Sequence, residues 1–139
     1  MDVVLLIGRI LFASVFIVSG ATIHLIKWRD GVAYARASNV PAPELLVPLS
    51  GVMAVVGGLL VALGLWADLG AALLAAFVFP VAVGMHAYWK VDDPMQRANQ
   101  QAHFMKNVSL GGAALALFAL FQQFGGDIGL TVGPTALFD

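Results

Sequence analysis

Four long apolar runs, separated by shorter polar stretches, dominate the chain: Val3–Ile26, Leu45–Trp66, Leu69–Trp89 and Phe104–Phe124. A helix crossing a ~30 Å hydrocarbon layer needs ~20 mostly apolar residues, and each run meets that length. Strands of a membrane barrel would alternate apolar and polar side chains. These runs do not alternate, so helices are expected. The first run holds one charge, Arg9, and the second none. The third is uncharged but contains Pro80 and His86, and the fourth has Lys106 and Asn107 near its start. The first run lacks a basic region ahead of it and exceeds a signal-peptide core in length, so it is expected to remain as a helix. The prediction is an all-α integral membrane four-helix bundle, up-down-up-down, forming one domain over residues 1–139.

The connections refine this picture. Trp66-Ala67-Asp68 alone joins the second and third runs, which predicts a tight hairpin. Lys27–Glu44 joins the first and second and carries Pro41-Ala42-Pro43, with Glu44 placed in a helix first turn where a negative charge complements the dipole. Lys90–His103 joins the third and fourth; Asp93-Pro94 there predicts an N-cap and a short interfacial helix. Residues 125–139 hold four glycines and one proline and are expected to be an irregular tail.

Composition agrees. The chain is 60% hydrophobic and 11% charged, against a usual ~25% charged. Its mean hydropathy is +0.91. With a net charge of −1 and no basic run, nucleic acid is not an expected partner; the lipid bilayer is. Cysteine is absent, which excludes disulfides and thiolate metal sites, and no metal site is expected. Alternation of the helices puts Lys27, Arg29, Arg36, Lys90, Arg97 and Lys106 at one end, and Asp2, Asp68, Asp127 and Asp139 at the other. The positive-inside rule then predicts a cytoplasmic basic end and both termini outside.

Helices in lipid associate by close packing, so small residues mark contact seams. Ser50, Ala54, Gly58 and Ala62, with Gly57 beside them, form such a seam on the second helix. Ionisable groups within a membrane cost roughly 2.5–3.5 kcal/mol each on insertion scales and need a reason. His24, Glu44, His86, Trp89, His103, Lys106 and Asn107 are all expected near the basic end. Each also has an ordinary interfacial explanation: an aromatic belt, a snorkelling lysine, a solvated histidine. Taken together, His24, Glu44, His86, Trp89, Lys106 and Asn107 are the candidate lining of one polar pocket. Arg9 is a candidate second polar site at the other end. It either snorkels or is a buried cation holding a carbonyl, a carboxylate or a partner subunit. Only Asp68 and the tail carboxylates are available there as internal counter-charges.

These residues resemble those of the DoxX family of small four-helix bacterial membrane proteins. The resemblance rests on Gly8-Arg9, Ser19-Gly20 and His24, then Val40-Pro41-Ala42-Pro43, Gly57-Gly58 and Gly64. It continues through His86-Ala87-Tyr88-Trp89, Asp93-Pro94 and Phe104-Met105-Lys106-Asn107. It covers about Leu5 to Leu120. Many relatives carry a glutamate just before the paired glycines, where this chain has Ala54. The resemblance implies a bacterial cytoplasmic-membrane location and a link to respiratory redox chemistry, because relatives include subunits of thiosulfate:quinone oxidoreductase.

The expected function is a redox-linked or quinone-associated accessory subunit. A quinone headgroup suits the donors of His24, His86, Trp89, Lys106 and Asn107, with Phe77, Phe79 and Phe104 as walls. The alternatives are a non-catalytic structural or assembly subunit and a small-molecule transporter. Without a nucleotide fingerprint or a cysteine ladder, the chain is not expected to be catalytic alone. Its electron donor would be another membrane subunit, and homo-oligomers are a further expectation. A b-type haem between His24 and His86 is disfavoured, since bundle histidines have many ordinary roles.

Overall fold

A computed structural model describes residues 1–138. It is all-helical, with no strand among the described residues. The helices are α1 (Asp2–Ser19), α2 (Trp28–Ala37), α3 (Pro43–Leu63), α4 (Ala67–Met85) and α5 (Pro94–Phe124). A π-helical stretch, Gly20–Ile26, extends α1, and a single 3-10 turn, Tyr88–Lys90, follows α4. Four stretches are long and apolar enough to cross a membrane: Asp2–Ile26, Pro43–Leu63, Ala67–Lys90 and Pro94–Asp127.

Local chemistry sets the helix ends. Pro43 opens α3 at a position where its missing N–H costs nothing. Gly64 closes it in the left-handed conformation, φ +69°, which a side chain would strain. The Asp93 carboxylate caps α5, accepting from the Gln96 amide at 2.9 Å, and Pro94 follows it. No breaker stands between Met95 and His103, so the separate interfacial helix expected there is the first part of α5 itself. With 31 residues, α5 is about 46 Å long, so its polar N-terminal third extends beyond a ~30 Å core. The loop between the first two spans is also more regular than expected. It contains α2, which packs Val32 and Ala35 against Val47 of α3.

Packing runs α1 on α3, α3 on α4 and α4 on α5. The glycines of α3 serve two neighbours. A Cβ on Gly57 would lie 3.0 Å from the Gly70 carbonyl oxygen of α4. A Cβ on Gly58 would lie 2.7 Å from Ile17 of α1. Ala54 meets Gly20 from the other side, and Gly51 lies against His24. Phe16, Leu74, Val78, Ala114 and Phe121 fill the centre. The outer faces stay apolar: Leu11, Val83 and Leu115 are all exposed. A soluble bundle would place polar residues there, and lipid accounts for the difference.

The irregular tail folds back over the α3–α4 turn. The Val132 amide donates to the Leu63 carbonyl at 3.0 Å, and the Trp66 amide donates to the Pro134 carbonyl at 2.7 Å. The Asp68 amide donates to the Thr135 carbonyl at 3.2 Å. A polar mini-layer thus closes one end of the bundle, while α2 and the start of α5 cover the other.

Candidate functional site

At the loop end, His86 sits where α4 stops. Its Nδ1 lies 2.8 Å from Oε1 of Gln100 on α5. The other arm of that amide, Nε2, donates to the Tyr34 hydroxyl of α2 at 3.3 Å. The His86 ring stacks on His103, with centroids 5.2 Å apart and planes at 23°. Gln100 and His103 are three residues apart, which puts both on one face of α5. Beside this network Tyr88, Trp89 and Phe104 make three mutual edge contacts with centroids 5.2–5.5 Å apart. Three elements therefore bring imidazole, amide and phenol groups together beside an aromatic wall.

The remaining candidates are placed differently. His24 Nδ1 lies 2.9 Å from the Ser50 hydroxyl, which in turn donates to the Val47 carbonyl. The His24 ring meets the edge of Phe77 at 5.6 Å. Phe77 precedes His86 by nine residues on α4, about 13 Å along the axis. No hydrogen bond or ring contact joins the two histidines among the described residues. His24 is thus held by Ser50 and Phe77, and His86 by Gln100 and His103, so the two imidazoles have different neighbours. Glu44 pairs with Arg36 of α2, both exposed, and not with Lys106. Lys106 is exposed, Asn107 is buried and Trp89 is half-exposed. No group of three or more potential metal ligands occurs among the described residues.

The turn end holds the two buried charges found among the described residues. Arg9 and Asp68 are both 0% exposed. The Asp68 carboxylate accepts four hydrogen bonds: Leu69 amide 2.7 Å, Gln122 side chain 2.7 Å, Leu137 amide 2.8 Å and Phe138 amide 3.0 Å. It therefore nails the tail to α4 and α5. Arg9 does not snorkel: Nη2 donates to the Leu130 carbonyl of the tail at 2.6 Å. Its Nε and Nη1 have no partner among the described residues.

Sequence reasoning missed Gln100, Tyr34 and Gln122 as partners. The available signals were the spacing of Gln100 to His103 and a lone polar pair, Gln122-Gln123, ending an apolar helix. Asp68 was legible only as a charge, because its partners are backbone amides of a segment without periodicity.

Comparison with known proteins adds one positive finding. No curated protein and no solved structure matches the chain. A family model described as DoxX matches residues 4–87, from α1 to the end of α4, and so spans Arg9, His24, Asp68 and His86. His103, Lys106 and Asn107 lie beyond it. Since that match covers more than half of the sequence, the chain belongs to the DoxX family.

Proposed function

We propose that this protein is a redox-associated accessory subunit of the bacterial cytoplasmic membrane, receiving a quinone headgroup at the loop end of its bundle. The observation that carries the reading is the His86–Gln100–Tyr34 network with its stacked His103 and the adjacent Tyr88–Trp89–Phe104 wall. A quinone needs a donor for each carbonyl and a flat apolar surface for its ring. Imidazole supplies a donor or an acceptor according to tautomer, and it exchanges a proton near neutral pH. Phenol and amide groups supply further donors. Lys106 is exposed on the same helix as Gln100 and His103, and it suits the headgroups of surrounding lipid. The chain offers no electron source of its own on this reading, so it works beside another membrane subunit or a second copy. The basic residues of α2 and of the α4–α5 connection support, by the positive-inside rule, a cytoplasmic position for this end with the tail outside.

The test is direct. Protein purified from its native membrane in mild detergent is extracted with organic solvent, and quinone is quantified per chain. The proposal expects near-stoichiometric quinone, reduced at least several-fold in His86→Ala. A quinone-free preparation with a tightly co-purifying subunit would replace it with a structural role. A Soret absorption band would replace it with a haem protein.

A further inference from the structure

We infer that Arg9 is an anion-binding site under the tail, at the end of the bundle opposite the proposed quinone site. A guanidinium carries five N–H donors. Nη2 donates to Leu130, but the single N–H of Nε and both of Nη1 have no acceptor among the described residues. The side chain is completely buried. Buried donors in folded proteins are almost always satisfied, and a buried charge is normally matched by an opposite one. Of the carboxylates at this end, that of Asp68 already accepts four hydrogen bonds, and that of the exposed Asp2 lies against Gly129, and neither forms an ion pair with Arg9. Among the described residues the ion pair is Arg36–Glu44, at the other end.

The surroundings are shaped around the guanidinium. Gly64 turns back in the left-handed conformation, and a Cβ there would lie 2.6 Å from Nη1. Leu130 also has a left-handed backbone, φ +56°, although it carries a side chain. That conformation is uncommon for such a residue, and here it accompanies a carbonyl aimed at Arg9. Thr131 packs on Gly64 and also lines a cleft of about 320 Å³ between the tail and the end of α5. Thr131 is the residue the cleft shares with the surroundings of Gly64; Arg9 itself does not line it.

The ligand chemistry is an oxyanion with two or more acceptor oxygens, since arginine pairs best with such groups. A phosphate group meets the requirement, whether carried by a lipid headgroup or free in solution. Arg9 lies seven residues into α1, about 10 Å from its start, close to the end of the bundle where lipid headgroups and solutes are found.

The full-length protein in neutral detergent is heated with increasing dioctanoyl phosphatidylglycerol, or with inorganic phosphate at ionic strength matched by sodium chloride. A saturable rise in Tm of several degrees is expected with one of the two probes. Response to the lipid alone identifies a headgroup site, and response to phosphate identifies a solute site. The rise should be absent in Arg9→Gln, weakened in Arg9→Lys, and intact in Lys27→Gln at the opposite end. If Arg9→Gln does not fold, the Arg9→Lys and Lys27→Gln pair decides, with a weaker response in Arg9→Lys alone expected. No saturable rise in the wild type with either probe overturns the site. So does an equal rise in the wild type and every Arg9 variant.

Discussion

Replacing Asp68 with alanine removes the acceptor for four donors at once, three of them backbone amides. Hydrogen bonds to a charged group contribute roughly 1.5–3 kcal/mol each. They do not add fully here, because Gln122, Leu137 and Phe138 belong to exposed residues whose donors can turn to water. The net cost is therefore about 2–4 kcal/mol, nearer one buried charged contact plus part of a second. It falls on the tail rather than on the bundle. The Val132–Leu63 and Trp66–Pro134 backbone bonds remain, so the helices should stay folded. At 1.4 kcal/mol per tenfold, that cost corresponds to a roughly 30- to 700-fold larger equilibrium constant for opening of the tail. Hydrogen exchange with mass spectrometry reads this directly over residues 128–138 of the detergent-solubilised protein. Peptides from α3 and from α4 beyond its first turn should exchange as in the wild type. Unchanged tail protection in Asp68→Ala would refute the claim that this carboxylate holds the tail.

Other expectations test the packing, the caps and the orientation. Gly58→Leu should lower the detergent Tm clearly more than Leu59→Phe, because a Cβ at Gly58 would already press on Ile17 whereas Leu59 is exposed. Similar losses in the two variants would remove the seam from the account. Asp93→Ala should fray the first turn of α5 at a cost of about 0.5–2 kcal/mol, seen as faster exchange around Gln96 with the spans unaffected. Single cysteines at the exposed positions Ala37 and Val132 should react with an impermeant thiol reagent in intact cells at 132 and not at 37. The reverse pattern would invert the orientation.

The four spans were legible because lipid demands ~20 apolar residues in a row, and few other pressures produce such runs. The starts of α3 and α5 were legible from Pro43 and from Asp93-Pro94, whose backbone restrictions act locally. What escaped depends on contacts between distant segments. The amphipathic helix α2 was hidden because its buried face is only Val32 and Ala35, too short for a convincing period. Convergence of His24 with His86 was expected from their positions near the same end of the bundle. In the structure His24 turns to Ser50 and Phe77 instead, about 13 Å along α4 from His86. The π-helical stretch contributes to this, since its wider turn resets the facing of every residue after Ser19. Glu44, expected in the lining of the polar pocket, pairs instead with Arg36 of α2, a helix the sequence pattern did not reveal. The roles of Arg9 and Asp68 are set by carbonyls and amides of the tail, which no side-chain pattern encodes.

The central claim, a quinone headgroup against the His86 network, is tested most directly through Trp89. Its ring touches both Tyr88 and Phe104, so it reports on that wall. In a Trp28→Phe, Trp66→Phe background, Trp89 is the remaining tryptophan. Its fluorescence would be titrated with decylubiquinone in detergent, using wild-type His86 and His86→Ala. The account predicts saturable quenching with His86 present, and an apparent affinity at least tenfold weaker in His86→Ala. Linear, non-saturating quenching that is the same in both proteins would contradict it.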